Sequence, residues 1–368
     1  MMTMEQNIDL KNLDKSNWKS FRFDQIAKKI SETVDPNTTD LKIYIGLEHI
    51  DAESIHIKRQ GTPADVSGGK LKCYPGDVIF GKRRAYQRKA AVVDFEGICS
   101  AHAFVLRANP KVIDPNLFPF FLHSDLFMHR AVDISVGGLS PTINWGQLKE
   151  QEFLLPPKNQ QAQLAELLWA MDEVIESEHK VLEKTNIIKE SLFKKFRSKE
   201  NNWKKFQIGH LMHFNYGKAL KESERIEGDH SVITSSGYQG SHNDFLSIGP
   251  GIVVGRKGNV GQVTWVENNF WTTDTAYYIT LKDEYSDIPL KFFYYLLKAA
   301  NLVKHSIATA VPGLNRDDAL MTKVYLPSEN ELLQYLTKFQ IVDDKIIELE
   351  SKISSSKALQ KSLINKVF

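Results

Sequence analysis

Residues 155–196 read LPPKNQQAQLAELLWAMDEVIESEHKVLEKTNIIKESLFKKF, and residues 326–367 read LPSENELLQYLTKFQIVDDKIIELESKISSSKALQKSLINKV. The two stretches align without a gap when one is shifted by 171 positions. Identical residues at this shift include Leu155 and Leu326, Pro156 and Pro327, Asn159 and Asn330, Gln163 and Gln334, Asp172 and Asp343, Ile175 and Ile346, Ser191 and Ser362, Leu192 and Leu363, and Lys195 and Lys366. A repeat of this length predicts two copies of one structural unit.

Apolar residues in both stretches recur at steps of three and four, which is the spacing of a coiled-coil seam. The predicted seam residues are Leu164, Leu168, Met171, Ile175, Leu182, Leu192 and Phe196 in the first stretch, and Tyr335, Phe339, Val342, Ile346, Ile353, Leu363 and Val367 in the second. Polar residues interrupt the seam, so we expect each helix to need the other; they are Glu178, Thr185, Lys189, Ser356 and Gln360. A two-fold axis across the seam requires the helices to run antiparallel. The alternative is that each helix only caps its own domain with an amphipathic stripe.

The repeat extends upstream of the helices. Residues 77–82 align with residues 251–256 at an offset of 174, and each half opens with a Trp-Lys-x-Phe phrase at Trp18 and Trp203. Strong β-formers predict strands at 78–80, 90–95 and 103–107, and again at 252–255, 262–266 and 276–281. Helices are predicted to begin near Pro115 and Pro289.

These patterns predict an α+β fold with two similar α+β domains separated by two long helices that form an antiparallel coiled coil, as a pseudo-two-fold internal repeat. The predicted boundaries are 1–157 for the first domain, 158–200 for the central helix, 201–328 for the second domain and 329–368 for the C-terminal helix. A chain of 368 residues is long enough for two such cores.

Composition narrows the class of protein. Apolar residues make up 42% and charged residues 25%, as in globular proteins. No stretch approaches the roughly 18 apolar residues of a membrane span, and residues 1–14 lack an apolar leader segment, so we expect a cytoplasmic protein without membrane contact. The formal net charge is only +2, so any surface for nucleic acid must be a local basic patch.

The clearest basic patch is the run KRRAYQRK at residues 82–89, which has five basic residues and no acid between two predicted strands. Arginine and lysine bind phosphates, and arginine also bonds guanine with two donors. The candidate DNA contacts here are Lys82, Arg83, Arg84, Tyr86, Gln87, Arg88 and Lys89. Arg256, Lys257 and Asn259 occupy the matching turn of the second half. The alternative for either turn is a solvated surface loop.

A polar loop in the second half supplies further candidates. Residues 235–242 read SSGYQGSH, and Ser235, Ser236, Tyr238 and His242 could contact bases. An ordinary surface loop explains the same composition equally well.

Motifs for catalysis are missing. There is no P-loop, no His-Glu-x-x-His metal motif and no Gly-x-Ser-x-Gly elbow. Cys73 and Cys99 are too few for a disulfide framework or a cysteine zinc site. We therefore expect no catalytic residue, no metal and no cofactor on this chain. The enzyme alternative is a nuclease with scattered carboxylates, which predicts metal-dependent cleavage.

The chain resembles the DNA specificity (S) subunits of type I restriction-modification systems over nearly its whole length. The phrases that carry the resemblance are GDVIFGK at 76–82 with GICS at 97–100, GPGIVVGRKG at 249–258 with FWTTDT at 270–275, SPTIN at 140–144 before LPP at 155–157, and VPGLN at 311–315 before LPS at 326–328. The family usually continues with a Glu-Gln pair, where this chain has Gln160-Gln161 and Glu331-Leu332. This departure concerns the start of each helix.

The resemblance implies two target recognition domains that each read half of an asymmetric bipartite site in double-stranded DNA. It implies that the helices set the spacing between half-sites, and that the chain holds two methyltransferase (M) subunits and two restriction (R) subunits. S-adenosylmethionine, ATP and Mg²⁺ would then be bound by those partners and none by this chain. The alternatives are a compact system whose one partner carries both methyltransferase and nuclease, and a stand-alone DNA-binding protein.

Overall fold

The computed structural model describes residues 13–197, 203–307 and 313–368. These residues form two compact units. Unit 1 comprises the described residues up to His179 together with Ser351–Phe368, and unit 2 comprises those within Lys180–Glu350.

Unit 1 combines short strands with short helices and part of both long helices. Its strands are β1 Lys19–Arg22, β2 Ala27–Ile30, β3 Thr33–Val34, β4 Tyr44–Ile45, β5 Lys70–Cys73, β6 Val78–Gly81, β7 Ala90–Val92, β8 Gly97–Cys99, β9 Ala103–Ala108, β10 Ser135–Val136, β11 Thr142–Ile143 and β12 Glu152–Leu155. Its helices are α1 Phe23–Ile26, α2 Phe118–His123, α3 Asp125–Asp133, α4 Trp145–Leu148 and the beginning of α5 Lys158–Arg197.

The main sheet of unit 1 has the antiparallel strand order β2-β9-β6-β7. Successive side chains of a strand face opposite sides, and in β6 both sides are buried. Val78 and Phe80 pack with Phe121 and Phe127 of the helices, whereas Ile79 packs on the other side, in the core shared with the second sheet, β3-β5-β8-β4. This double burial explains the unbroken apolar run in β6.

Unit 2 repeats this construction. Its strands are β13 Lys204–Gln207, β14 Met212–Tyr216, β15 His230–Thr234, β16 Gly237–His242, β17 Gly251–Gly255, β18 Val263–Val266, β19 Phe270–Thr272, β20 Ala276–Leu281, β21 Ser306–Ile307, β22 Gly313–Leu314 and β23 Lys323–Leu326. Its helices are α6 Ile208–Leu211, α7 Leu290–Ala300, α8 Arg316–Leu320, the end of α5 and the beginning of α9 Glu329–Val367.

The main sheet and the two-stranded pairs of the two units correspond strand by strand. The order β14-β20-β17-β18 in unit 2 matches β2-β9-β6-β7, the pair β13-β23 matches β1-β12, and the pair β21-β22 matches β10-β11. The second sheets differ, because β5 pairs with β8 in unit 1 whereas β16 pairs with β15 in unit 2. The predicted internal repeat of two α+β domains is confirmed.

Within unit 1, the beginning of α5 packs against the end of α9. Gln360 Nε2 donates to the carbonyl oxygen of Leu168 at 3.3 Å, and Ser356 Oγ donates to a carboxylate oxygen of Glu178 at 3.2 Å. The residue numbers rise along one helix and fall along the other, so the two segments are antiparallel. The polar residues Glu178, Ser356 and Gln360, which interrupt the apolar seam, therefore form hydrogen bonds between the two helices.

Within unit 2, the end of α5 packs against the beginning of α9 in the same antiparallel sense. The rings of Phe193 and Phe339 lie 4.8 Å apart, and the rings of Phe196 and Tyr335 lie 5.5 Å apart. Lys189 Nζ lies 2.6 Å from a carboxylate oxygen of Asp343. The predicted antiparallel pairing of the long helices is confirmed.

The seam residues named from the sequence are placed as follows. Leu164, Leu168, Ile175, Phe196, Phe339, Ile346, Ile353 and Val367 are buried, and Met171, Leu182, Leu192, Tyr335, Val342 and Leu363 are partly buried. The predicted seam does not include several other buried residues of the same helices, namely Phe193, Leu332, Leu336, Leu349 and Ile364. Phe193, Leu332 and Leu336 belong to the core of unit 2 and Ile364 to the core of unit 1, and a two-position seam is narrower than the face that these cores cover.

The six predicted strands are present within one to three residues of their expected ends. The helix expected near Pro115 is divided in two, because Ser124 is extended and caps α3 by accepting a hydrogen bond from the backbone N–H of Phe127. No helix within the described ranges is long and apolar enough to cross a membrane.

Candidate nucleic-acid interface

The basic turn of unit 1, residues 82–89, connects β6 to β7. Its middle is a 3-10 turn, Ala85–Gln87, flanked by Arg84 at φ 56° and Arg88 at φ 52°. The backbone N–H groups of Lys82 and Arg83 both donate to the carbonyl oxygen of His102, at 3.2 and 3.3 Å. These two hydrogen bonds hold the beginning of the turn against His102, the residue before β9.

Several predicted contacts line one shallow groove of about 310 Å³. Arg83, Arg84, Gln87 and Lys89 face it together with Ser100 and His102. Arg84 and Tyr86 are exposed, and Tyr86 keeps 53% of its accessible surface. Lys82 lies beside this groove, with Nζ 5.3 Å from the centre of the Phe104 ring. Partial burial and the neighbouring Lys29 lower the pKa of Lys82.

Arg88 and Lys89 have structural partners. Arg88 pairs with Asp125 at 2.7 Å and with Glu53, and it donates to the carbonyl oxygen of His123 at 2.9 Å. Its side chain is only 17% exposed. Lys89 Nζ donates to the carbonyl oxygen of Leu47 at 2.6 Å. We therefore remove Arg88 from the candidate interface and keep Lys89 as part of the groove wall.

A short hairpin beside the basic turn was not identified from the sequence. It consists of β10, residues 137–141 and β11. Its strand β11 joins the turn through a hydrogen bond of 2.9 Å from Ile143 N to the Lys82 carbonyl, and Arg84 N donates to the Pro141 carbonyl at 2.7 Å. At its tip Leu139 is 96% exposed, and Val136 is 66% exposed.

The sequence feature that indicates this hairpin is the pair Gly137-Gly138 followed by the apolar residue Leu139. Gly137 has φ 124°, a conformation that favours glycine. The adjoining phrase SPTIN at 140–144 carries part of the family resemblance and does not by itself predict a hairpin. The hairpin therefore places the exposed Leu139 on a segment that is bonded to the turn carrying Lys82, Arg83 and Arg84.

Unit 2 builds the same arrangement from its own residues. The connection after β17 carries Arg256, Lys257 and Asn259, and Leu314 N of β22 donates to the Arg256 carbonyl at 2.7 Å. Lys257 forms an isolated bridge with Gly313, as Arg83 does with Thr142. Residues 308–312, which include Val311 and Pro312 of the phrase VPGLN, lie outside the described residues.

The side chains of this second turn differ in their freedom. Arg256 donates to the carbonyl oxygen of Asp274 at 2.8 Å and lies 5.0 Å from the ring centre of Tyr216, so its guanidinium already has two partners within the protein. Lys257 and Asn259 are exposed. Asn259 Nδ2 donates to Ser236 Oγ at 3.2 Å, which joins the turn to the polar loop 235–242.

The polar loop divides into exposed and buried positions. Ser236 is exposed, and Tyr238 is 59% exposed although its hydroxyl donates to the Trp265 carbonyl. Ser235 and His242 are 8% and 7% exposed. His242 Nδ1 accepts a hydrogen bond from the backbone N–H of Ile226 at 3.1 Å. We therefore remove Ser235 and His242 from the candidate interface.

Position 84 and its counterpart at offset 174, position 258, share a left-handed backbone. Arg84 has φ 56° and Gly258 has φ 78°. An L-residue in this region is strained, whereas glycine is not. At this position arginine costs stability that glycine would not cost. The strain therefore favours a functional role for the cationic side chain of Arg84.

Within the described ranges no group of three or more His, Cys, Asp or Glu is placed to hold a metal ion.

The family model described as type I restriction modification DNA specificity domain matches residues 15–186 and 200–356. The chain is 27% identical over 186 residues to the type I restriction enzyme EcoDI specificity subunit of Escherichia coli, a match that covers 49% of this chain and 41% of that protein. It is 27% identical over 184 residues to the putative type I restriction enzyme MjaX specificity subunit of Methanocaldococcus jannaschii, covering 45% of this chain and 42% of that protein. The matched region is thus less than half the length of each relative.

Two solved structures share the fold. The S subunit of a type I restriction-modification system from M. genitalium superposes with a TM-score of 0.66 at 18% identity, over 97% of this chain and 98% of that one. A chain from a study of complex assembly and conformational transition of the type I R-M system superposes with a TM-score of 0.59 at 16% identity, over 96% and 97%.

Proposed function

Because the chain belongs to the family of type I restriction modification DNA specificity domains, we propose that it supplies DNA sequence recognition to a type I restriction-modification enzyme. One observation supports this most strongly. In each unit a basic connection between strands is bonded to a second hairpin, through Ile143 and Lys82 in unit 1 and through Leu314 and Arg256 in unit 2. A solvated loop has no need to recur with the same partner.

We propose that each unit contacts the DNA backbone and base edges with this pair of segments. Arg83 and Arg84 can bond guanine with two donors each, and Asn259 can bond adenine in the same way. Leu139 and Tyr86 offer apolar contact to a thymine methyl group. Lys82 and Lys257 supply positive charge for phosphates, which position the protein and specify no sequence.

The target is an asymmetric bipartite site in this proposal. The two turns differ at matched positions, where Lys82, Arg83 and Arg84 stand against Arg256, Lys257 and Gly258. Different donors at matched positions read different bases. Target recognition domains at 1–157 and 201–328 would each read one half-site, and the helices at 158–200 and 329–368 would set the length of the spacer.

The chain itself would carry no chemistry in this proposal. Two methyltransferase (M) subunits and two restriction (R) subunits would bind it and supply the sites for S-adenosylmethionine, ATP and Mg²⁺. A methyltransferase must flip its target base out of the duplex, and a pseudo-two-fold scaffold suits the modification of one adenine on each strand.

Selection of bound duplexes from a random pool tests the proposal directly. The chain, co-purified with a type I methyltransferase subunit that binds it, is expected to enrich two short motifs separated by a fixed number of unspecified base pairs. Enrichment of one continuous motif by the chain alone would favour a stand-alone DNA-binding protein. No enrichment by either preparation would contradict sequence recognition.

A further inference from the structure

A second cleft, of about 550 Å³, lies within unit 1, and Arg88 is the one residue of the basic turn among those that line it. Residues 51–58 form one wall, and the segments of α5 and α9 that contain Asp172, His179, Lys357 and Ile364 form the other. Its volume is in the range of small-molecule sites in proteins. The DNA-reading role proposed above makes no use of it.

The floor of the cleft is apolar. Ile55, Phe120, Ile175 and Ile364 line it, and each retains 6% or less of its accessible surface. An occupant with an apolar body would cover the remaining exposed part of this floor.

The carboxylates of the cleft already have cationic partners. Asp172 lies 2.5 Å from His56 Nε2, Glu176 lies 2.8 Å from Lys58 Nζ, and Glu53 lies 2.7 Å from Lys361 Nζ. Asp51 pairs with Arg59. A cation would have to displace one of these partners, so the acidic side chains do not favour a metal or an amine.

Two basic residues of the cleft have no such partner. Lys357 on α9 and His179 on α5 both line the cleft, and neither makes a hydrogen bond or ion pair with any described residue. Burial, together with the charges of Lys357 and Lys58, lowers the pKa of His179. Neighbouring basic groups without a counterion attract an anion, and binding of that anion would favour the protonated imidazole.

The basic residues of the cleft are not repeated in the second half of the chain. At the offset of 171, His179 corresponds to Glu350, Lys357 to Asn186 and Lys361 to Glu190. Both unpaired basic residues therefore correspond to residues without positive charge. The feature belongs to one unit and is independent of the two-fold arrangement used for DNA.

We propose that this cleft binds one phosphate monoester with an apolar body, of the mononucleotide class, with the phosphate between Lys357 and His179 and the body over the floor at Ile175 and Ile364. Lysine binds phosphate as a point charge and protonated histidine adds a charged hydrogen bond. Because the walls come from the segment 51–58 and from both long helices, the ligand would tie these three segments together and stabilise unit 1.

Isothermal titration of the full chain with adenosine monophosphate tests the site, with adenosine and inorganic phosphate as partial probes. We expect one adenosine monophosphate per chain, bound at least tenfold more tightly than either partial probe. Affinity for inorganic phosphate equal to that for the nucleotide would overturn the need for an apolar body. The absence of nucleotide binding at millimolar concentration would overturn the site.

Two substitutions locate the binding. Lys357→Gln and His179→Gln should each weaken nucleotide binding by about tenfold, since each removes one charge-assisted contact. The matched control is Asn186→Ala, the counterpart of Lys357 in the repeat, which should leave binding unchanged. Thermal unfolding of every variant checks the fold. Unchanged affinity in both glutamine variants, with intact folding, would contradict the assignment.

A further control separates this cleft from the DNA surface. The variant Lys82→Ala/Arg83→Ala/Arg84→Ala should retain nucleotide binding in full. Loss of nucleotide binding in that variant would move the ligand to the basic turn and overturn the inference, whereas loss of DNA binding alone bears only on the proposed function.

Discussion

The backbone N–H of Ile143 donates a 2.9 Å hydrogen bond to the carbonyl oxygen of Lys82. This bond fastens the hairpin that carries Leu139 to the turn that carries Arg83 and Arg84. The basic and apolar parts of the surface are therefore positioned together. Substitutions on either segment are expected to affect the same contact with DNA.

Replacement of Lys82, Arg83 and Arg84 together by alanine should abolish specific DNA binding and leave assembly with a methyltransferase intact. Each lost phosphate contact lowers the dependence of log K on log salt by about 0.9, so residual binding should show a slope reduced by about 0.9 if Lys82 alone contacts a phosphate, as proposed above, and by about 2.7 if all three residues do. A reduction smaller than about 2.7 would indicate that some of these three residues contact bases and not phosphates. Gel-shift titrations at several salt concentrations measure both quantities.

The control for this variant replaces Lys19, Lys42 and Lys111, which are exposed lysines of unit 1 outside the turn. It removes the same three charges from the chain. Equal loss of DNA binding in the control would show that overall charge, and not the turn, determines binding.

Arg84→Gly and Arg84→Ala should weaken DNA binding equally, because both remove the guanidinium. Only the glycine variant relieves the left-handed strain at φ 56°, so it should unfold with a free energy about 1 kcal/mol higher than the alanine variant. Chemical denaturation measures this difference. Equal free energies of unfolding for the two variants would show that the backbone at Arg84 is not strained.

Leu139→Ser should weaken binding to the preferred site by roughly tenfold, about 1.4 kcal/mol, if the leucine contacts a thymine methyl group. Stability should not change, because the side chain is 96% exposed. Leu359→Ser, at an exposed leucine of α9 in the same unit, is the matched control. Replacement of thymine by uracil at the contacted position should reproduce the loss in the wild type and have no further effect in the variant.

Arg88→Ala should destabilise unit 1 by about 2 kcal/mol, since it leaves Asp125 without its cation in a partly buried place and leaves Glu53 with Lys361 as its remaining cation. DNA affinity of the folded variant should be unchanged. Arg59→Ala removes an exposed ion pair with Asp51 and should have less than half that effect. Thermal unfolding compares the two. A variant of Arg88 that folds normally and loses DNA binding would return this residue to the interface.

The pair of His56 and Asp172 predicts a pH dependence for unit 1. The hydrogen bond and charge of Asp172 raise the pKa of His56 above its ordinary 6.5, with Glu176 acting in the same direction and Lys58 against it. A histidine with a raised pKa contributes stability that is fully present below its unfolded pKa and is lost as pH rises through its folded pKa. The difference in Tm between wild type and His56→Gln should therefore shrink from pH 6 to pH 9.

Buried His123 acts in the opposite direction on the wild type. Burial lowers its pKa to about 4, so its contribution is lost as pH falls from its ordinary pKa of 6.5 toward 4. This group is common to the wild type and the His56 variant and cancels in their difference. A difference in Tm that is constant from pH 6 to pH 9 would contradict the assigned pair.

Sequence reasoning predicted those parts of the fold that depend on regular spacing. The offset between Asp172 and Asp343 identified the repeat, and the steps of three and four in α5 and α9 identified the paired helices. Strand β6 was found because Val78, Ile79 and Phe80 are strong β-formers in one run. These signals are local or periodic, so one sequence contains them.

The candidate site was less accessible to sequence reasoning, because side-chain direction in a turn depends on individual backbone angles. Arg84 and Arg88 belong to the same basic run, yet one is exposed and the other pairs with Asp125 and Glu53. The hairpin at Leu139 is some fifty residues from the turn in sequence and meets it through backbone bonds from Ile143 to Lys82 and from Arg84 to Pro141. Such long-range pairing leaves no periodic pattern.

The most direct test of the central claim is a map of modified bases in the genome of a host that expresses this chain with a type I methyltransferase subunit that binds it. We predict an asymmetric bipartite methylated motif that is absent without the chain and is lost when Lys82, Arg83 and Arg84 are replaced by alanine. A motif that persists without the chain, or a stable complex with no motif, would contradict a role in sequence recognition.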